Sequence, residues 1–209
     1  MVALSENEEI TTVILGNGVE MRNGLVHVRA DTFYSSVVNA AGGEMIFLGG
    51  HGAFDGRFQA YHMHIAMFVA YGHAFYGTRD FRYNTRWGLR YAFISGGAQT
   101  TLANILLGPA VSTVGVINSN AYLERADRRF WNHLHSGTGM VQQLFNAHNH
   151  FMDNYSRRRA FAYTGRWVNS TSYTIGLVNA VGLNHGLSSE QVARAWGINS
   201  AFAPRFFGK

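Results

Sequence analysis

The chain has 209 residues, of which 47% are hydrophobic, and carries a formal net charge of +5. This length and composition are enough for one ordinary hydrophobic core. The chain contains no cysteine, which excludes a disulfide framework and a cysteine-ligated zinc site. Its basic residues are dispersed rather than clustered, so we expect a solvated surface and no nucleic-acid partner.

The first residues carry acidic side chains and no apolar stretch of the kind found in secretory signals. No uninterrupted apolar run approaches the length of about 18 residues that a membrane span requires. We therefore expect a cytoplasmic protein without a membrane partner.

Apolar runs bounded by turn signals predict the strands. They fall at residues 11–15, 25–29, 44–48, 89–94 and 111–117. Apolar residues with helical spacing predict helices, at residues 31–39, 100–107, 123–134 and 138–152. Because strands and helices alternate, the sequence favours an α/β sandwich with a mostly parallel central sheet and helices on both faces.

Two parts of the chain carry weaker patterns. Residues 57–87 are rich in aromatic residues and histidine but lack a clear period, and no element is assigned to them. Residues 163–181 mix glycine, asparagine, serine and threonine with β-formers, which favours pairing at a sheet edge. Further on, Ser188 and Gln191 have the spacing of a capping box that opens a short helix.

Two of the predicted strands end in glycine-rich turns, one carrying His51 and the other Ala98. Neighbouring parallel strands end at the same edge of a sheet, so we expect these two positions to lie close together. His51 would then serve as the general base for a nucleophile at position 98. The amides of Gly52 and residue 98 would form an oxyanion hole, and Gly97 would let a substrate approach closely. Ala98 itself has no nucleophilic group.

Over roughly residues 25–152, the sequence resembles the caspase-like cysteine peptidases, and most closely their bacterial CHAT-type branch. A strand followed by His51-Gly52 is typical of this family. In the next strand and turn, Gln99-Thr100 matches the residues that follow the family's cysteine, which places that cysteine at position 98. The aromatic pair Phe130-Trp131 also lies where family members have comparable features.

The resemblance implies a single caspase-like domain over residues 1–209, with a core at about 11–155 and a C-terminal extension at 156–209. It implies a cysteine endopeptidase that works through a Cys-His dyad without a cofactor. Its partners would be a peptide or protein substrate, and either an activating protein or a second copy of the chain. Ala98 would then be an engineered Cys→Ala change or the natural residue of a pseudoenzyme.

Two other functions stay open. The chain would act as a non-catalytic peptide- or protein-binding module if Ala98 is natural. It would bind a metal if its ten histidines converge, and His62 and His64 share one face of any strand that contains them. Carboxylates are few and no metalloprotease spacing occurs, so we expect no metal site. Asp55, close after His51, is expected to line a pocket for a basic side chain.

Overall fold

The computed structural model describes residues 12–16, 19–22, 25–28, 38, 41–52, 60–70, 82–84, 89–98, 111–118, 129–156, 162–163 and 167–209. Its strands are β1 (Thr12–Gly16), β2 (Val19–Arg22), β3 (Leu25–Val28), β4 (Glu44–Gly52), β5 (Tyr61–Ala70), β6 (Arg82–Asn84), β7 (Leu89–Ala98), β8 (Val111–Asn118), β9 (Arg129–Gly137) and β10 (Ala162–Tyr163). Its α-helices are α1 (Met140–Phe151), which continues into a π-helical turn (Met152–Ser156), α2 (Ser170–Ala180) and α3 (Ser189–Arg194). Two 3-10 turns follow, at Ile198–Ser200 and Pro204–Phe207.

The described strands form two sheets, and every pairing in them is antiparallel. The small sheet has the order β1-β2-β3. The large sheet has the order β10-β8-β7-β5-β4-β9, and β6 also pairs with β7. The expectation of a mostly parallel sheet with helices on both faces is therefore wrong. Residues 53–60 alone join β4 to β5, which is too short for the helical crossover that parallel neighbours require.

One face of the large sheet, the helical face, packs against α1 and α2. Its aliphatic side chains alternate along the central strands, as in Ile46 and Leu48 of β4 and Ile65 of β5. From the helices, Leu144 and Leu177 are buried in the same cluster. This core between the sheet and two helices, which also contains aromatic side chains such as Phe151 and Tyr173, supplies the main hydrophobic stabilisation of the fold.

The opposite face, the histidine face, carries the alternate residues of the same strands. Phe47, Phe68 and Phe93 are buried there, and their rings contact one another edge-on, with centroids 5.9 Å (Phe47–Phe68) and 6.4 Å (Phe68–Phe93) apart. His64 is fully buried in the same row of side chains, 5.9 Å from the Phe93 ring. Both faces are thus buried. The central strands contribute mainly aliphatic side chains to the helical face, and aromatic and imidazole side chains to the histidine face.

Helix α2 occupies most of the segment that the sequence analysis assigns to edge pairing, so that expectation is wrong over 170–180, although Tyr163 at its start does pair at the sheet edge, in β10. The Asn169 side chain accepts hydrogen bonds from the amides of Thr171 and Ser172, and the Ser172 hydroxyl accepts from the Asn169 amide, which completes a capping box. Every α2 residue except Asn179 is buried. A helix buried all round shows no apolar stripe, which is why its pattern is not helical in the sequence.

Of the remaining expectations for single strands and helices, some are confirmed and one is wrong. The strand at 111–117 and the helix at 138–152 are confirmed as β8 and α1, and the capping box of Ser188 and Gln191 does begin α3. The helix expected at 123–134 is wrong, because β9 occupies Arg129–Gly137. The helix expected at 100–107 lies outside the described residues, as does that at 31–39 except for Val38, which is helical.

Candidate functional site

The positions expected to form a catalytic dyad lie inside strands rather than in turns after them. β4 continues through His51 to Gly52, and β7 continues through Gly97 to Ala98. In register, His51 pairs with His62 of β5 on one side and with Arg129 of β9 on the other. Ala98 pairs with Thr113 of β8.

The strands that carry these two positions run in the same direction, but they are not neighbours, because β5 lies between them. The expectation that they are adjacent is wrong. Two strand spacings separate them by about 10 Å. Directly paired residues share a face and successive residues alternate. Continuing the register beyond His64–Ser95 would bring His62 level with Gly97, so that positions 51 and 98 fall on opposite faces.

The other residues of the expected site are also separated. Gly52 pairs with Tyr61, and Gly97 pairs with Val114 of β8. Backbone amides inside a sheet lie in its plane and point towards neighbouring strands, whereas an oxyanion hole needs two amides that converge. Asp55 lies outside the described residues.

Several histidines instead make specific contacts elsewhere. The Nδ1 of His148 on α1 lies 2.7 Å from the hydroxyl of Tyr173 on α2, and both side chains are buried. Burial lowers the pKa of His148 to about 4, although the nearby Asp153 carboxylate opposes this shift. Burial likewise raises the pKa of Tyr173. The imidazole is therefore neutral at pH 7, and the pair links the two helices inside the core.

A second histidine pair lies on β9. His133 Nε2 is 2.6 Å from the Ser136 hydroxyl, and both residues are exposed. Desolvation and the neighbouring His135 imidazole lower the pKa of His133, while a hydrogen bond with the His135 backbone opposes them. Among the side chains that the structure describes, no group of three histidines or carboxylates is placed to hold a metal ion.

Large apolar side chains are exposed at one place in the described part of the chain, which we call the tryptophan surface: Trp167, Val192 and Trp196. Trp167 is 61% exposed, and Val192 and Trp196 are each 37% exposed. The last two are four residues apart, across the end of α3. The sequence analysis missed this surface, although two tryptophans in a tail of small polar residues could have marked it.

Side chains at the start of α2 hold the backbone of the tryptophan surface. Asn169 Nδ2 donates to the Trp196 carbonyl at 2.7 Å, and the Ser172 hydroxyl lies 2.7 Å from the Trp167 carbonyl. Gly197 has a φ of 91°, and a Cβ there would lie only 2.6 Å from Asn169 Oδ1 and from Ser172 Oγ. This close approach requires glycine, and it fixes the two tryptophan segments beside each other.

Helix α3 is fixed to the sheet by two polar contacts. Gln191 Oε1 accepts a hydrogen bond from Asn132 Nδ2 of β9 at 3.2 Å. Arg194 donates to the Tyr61 hydroxyl at 3.0 Å, and its guanidinium carbon lies 4.2 Å from the centre of the Tyr61 ring. The tryptophan surface is therefore preorganised, which lowers the entropy cost of binding a partner.

Comparison of the chain with protein-family models, with curated proteins and with solved structures gave no match. Within the described residues, no helix has the length and apolar character needed to cross a membrane. The site must therefore be interpreted from its own geometry.

Proposed function

We propose that the protein is a non-catalytic binding module that holds an extended peptide segment of a protein partner on its tryptophan surface. The observation that carries the proposal is the exposure of Trp167, Trp196 and Val192 on a backbone that hydrogen bonds hold in place. Exposed apolar patches on folded proteins mark interaction sites, and tryptophan is enriched among the residues that dominate binding energy.

Charge indicates which partner fits this surface. Residues 167–209 contain one acidic side chain, Glu190, and three basic ones, Arg194, Arg205 and Lys209. The whole chain carries a net charge of +5. A positive protein steers and favours negative partners. The partner segment would therefore combine apolar side chains, which cover the indoles, with carboxylates.

The test is selection from a displayed library of random peptides, with the full-length protein as bait. We expect enriched peptides to carry apolar residues beside Asp or Glu. Binding of these peptides, measured by calorimetry, should weaken roughly thirtyfold in Trp196→Ala, the equivalent of about 2 kcal/mol at an interface hot spot. Their affinity should also fall as salt is added.

Asn146→Ala, at an exposed position on α1, is the matched control and should bind like the wild type. Trp196 is 37% exposed, so Trp196→Ala also removes buried apolar area, and urea unfolding of the variant checks that it is folded where binding is measured. Selection of no peptide that distinguishes the wild type from a Trp167→Ala, Trp196→Ala double variant would overturn the proposal. Concentration-dependent dimerisation lost in the double variant would overturn it too, because the occupant would then be a second copy.

The cysteine-peptidase hypothesis stays a prediction. No described contact brings His51 and Ala98 together, and β5 lies between their strands, so the peptidase hypothesis is not the function that we propose.

A further inference from the structure

We propose that Arg194 binds a carboxylate of the partner segment at the edge of the tryptophan surface, an inference that rests on the proposed function. Arg194 ends α3 and lies between Val192 and Trp196, two of the three residues of that surface. The Trp196 amide donates to the Arg194 carbonyl at 3.0 Å, and the Ala195 amide donates to the Val192 carbonyl at 3.1 Å. These bonds satisfy two carbonyls at the end of the helix, which would otherwise repel an anion.

Contacts with an aromatic ring fix the orientation of the Arg194 guanidinium. Its central carbon lies 4.2 Å from the centre of the Tyr61 ring, and Nη1 donates to the Tyr61 hydroxyl at 3.0 Å. Tyr61 is itself held in place, because Phe130 meets its ring edge-on with centroids 4.9 Å apart. A guanidinium held against a ring in this way is preorganised to donate to both oxygens of a carboxylate.

The Arg194 guanidinium also has donors without an acceptor. A guanidinium carries several N–H groups, and within the described residues Arg194 makes one hydrogen bond, that to Tyr61. Its Nε is buried and has no hydrogen-bond partner. Such a donor has already lost its contact with water, so an acceptor that reaches it gains a hydrogen bond without further desolvation of the donor. The side chain is half-buried, so part of it lies at the surface, where a ligand can approach.

The charges around Arg194 favour an anionic group. Within the described residues, no carboxylate forms an ion pair with Arg194. The amino-terminal end of α2, where the helix dipole is positive, lies nearby, because the Thr171 hydroxyl donates to the Tyr61 carbonyl at 3.4 Å. Glu190, one turn earlier on α3, is exposed and opposes an anionic ligand. Glu190→Gln should therefore bind acidic peptides more tightly than the wild type.

The experiment uses the full-length protein and pairs of peptides selected on the wild type, one with Asp or Glu and its twin with Asn or Gln. By calorimetry, the wild type should bind the carboxylate peptide about tenfold more tightly, as expected for hydrogen bonds to charged groups. Arg194→Gln should abolish this preference, and Arg194→Lys should keep only part of it, because an ammonium group lacks the planar fork. Arg205→Gln is the matched control and should keep the preference, since Arg205 also lies over a ring, 5.0 Å from the centre of Phe206.

A preference that survives Arg194→Gln, or that Arg205→Gln removes equally, would overturn the inference and leave peptide binding intact. Trp196→Ala should weaken both peptides of a pair alike, which separates a loss at the tryptophan surface from a loss at Arg194.

A second measurement does not depend on any peptide. Acetate, and not acetamide, should shift the Nε–H resonance of Arg194 in nuclear magnetic resonance spectra, and the shift should saturate at a lower concentration than that of Arg205. Equal responses of the two arginines would overturn the inference. A selective response of Arg194 when no peptide is selected would keep the carboxylate site and overturn the peptide-binding function alone.

Discussion

The two faces of the large sheet bury their side chains by different means. On the helical face, aliphatic residues of β4, β5 and β7 pack against α1 and α2, and the buried His148 of α1 lies within hydrogen-bond distance of the Tyr173 hydroxyl. On the histidine face, aromatic rings meet edge-on around His64. Edge-on ring pairs are not confined to the histidine face, because Phe151 and Tyr173 also meet edge-on in the core of the helical face, with centroids 4.9 Å apart. The faces differ in what the central strands contribute, which is mainly aliphatic side chains on the first and aromatic and imidazole side chains on the second.

The largest effect should appear on acidification. His148 has a folded pKa of about 4 against 6.5 when unfolded, so the unfolded state takes up the proton first as the pH falls. Its stabilising contribution is complete above pH 6.5 and is lost between there and pH 4. We expect a loss of about 3 kcal/mol in the free energy of unfolding from this group. Urea unfolding at a series of pH values measures it.

His148→Gln retains a partner for the Tyr173 hydroxyl and should remove most of this pH dependence. His62→Gln, on the histidine face, should remove a separate part of similar size, because desolvation lowers the pKa of His62 to about 4 as well. An unchanged pH profile in His148→Gln would contradict the assignment of this effect to the helical face.

A smaller effect should follow from adding one methyl group to the helical face. A Cβ at Gly96 would lie 2.8 Å from Tyr173 Cβ and 3.1 Å from Ser170 Cα, atoms that cannot move without shifting α2. We expect Gly96→Ala to cost about 1–3 kcal/mol, measured by urea unfolding.

Gly50→Ala is the matched comparison on the same face. A Cβ there would meet the Phe130 ring and the Met63 sulfur, the far ends of side chains that can rotate away. It should therefore cost less than Gly96→Ala. The reverse order would indicate that α2 packs less tightly on β7 than the structure shows.

The smallest effect is expected at position 98, where the resemblance to cysteine peptidases places the nucleophile. In Ala98→Cys, the thiol should have an ordinary pKa near 8.5, because position 51 lies about 10 Å away across β5. We expect alkylation at the rate of free cysteine and no cleavage of the chain or of added peptides. A thiol that reacts fast at neutral pH would restore the dyad hypothesis.

The sequence predicted well those elements whose signal lies in a few neighbouring residues. β8 follows from a run of β-formers, α1 from apolar residues at helical spacing, and α3 from the Ser188–Gln191 capping box. Each depends on contacts within a few residues of the chain, which a sequence pattern records directly. The strand runs at β4 and β7 were also located, but both strands proved longer than expected.

The features that the sequence analysis missed depend on contacts between segments far apart in the chain. β5 was not recognised because His62 and His64 interrupt its apolar pattern, although the histidine face buries His64. With β5 missing, β4 and β7 looked like consecutive strands of a parallel sheet, and His51 looked like a neighbour of Ala98. The tryptophan surface was missed because it depends on side chains of Asn169 and Ser172 that join distant segments.

By itself, the sequence determined that the protein has one ordinary apolar core without disulfides, and it located several elements whose signals are local. Only the tertiary structure decided which strands are neighbours, and therefore which histidines share a face. It also decided that α2, from the tail, fills the helical face of the sheet. Strand order and helix docking arise from contacts between residues far apart in the chain, and a linear pattern does not record them.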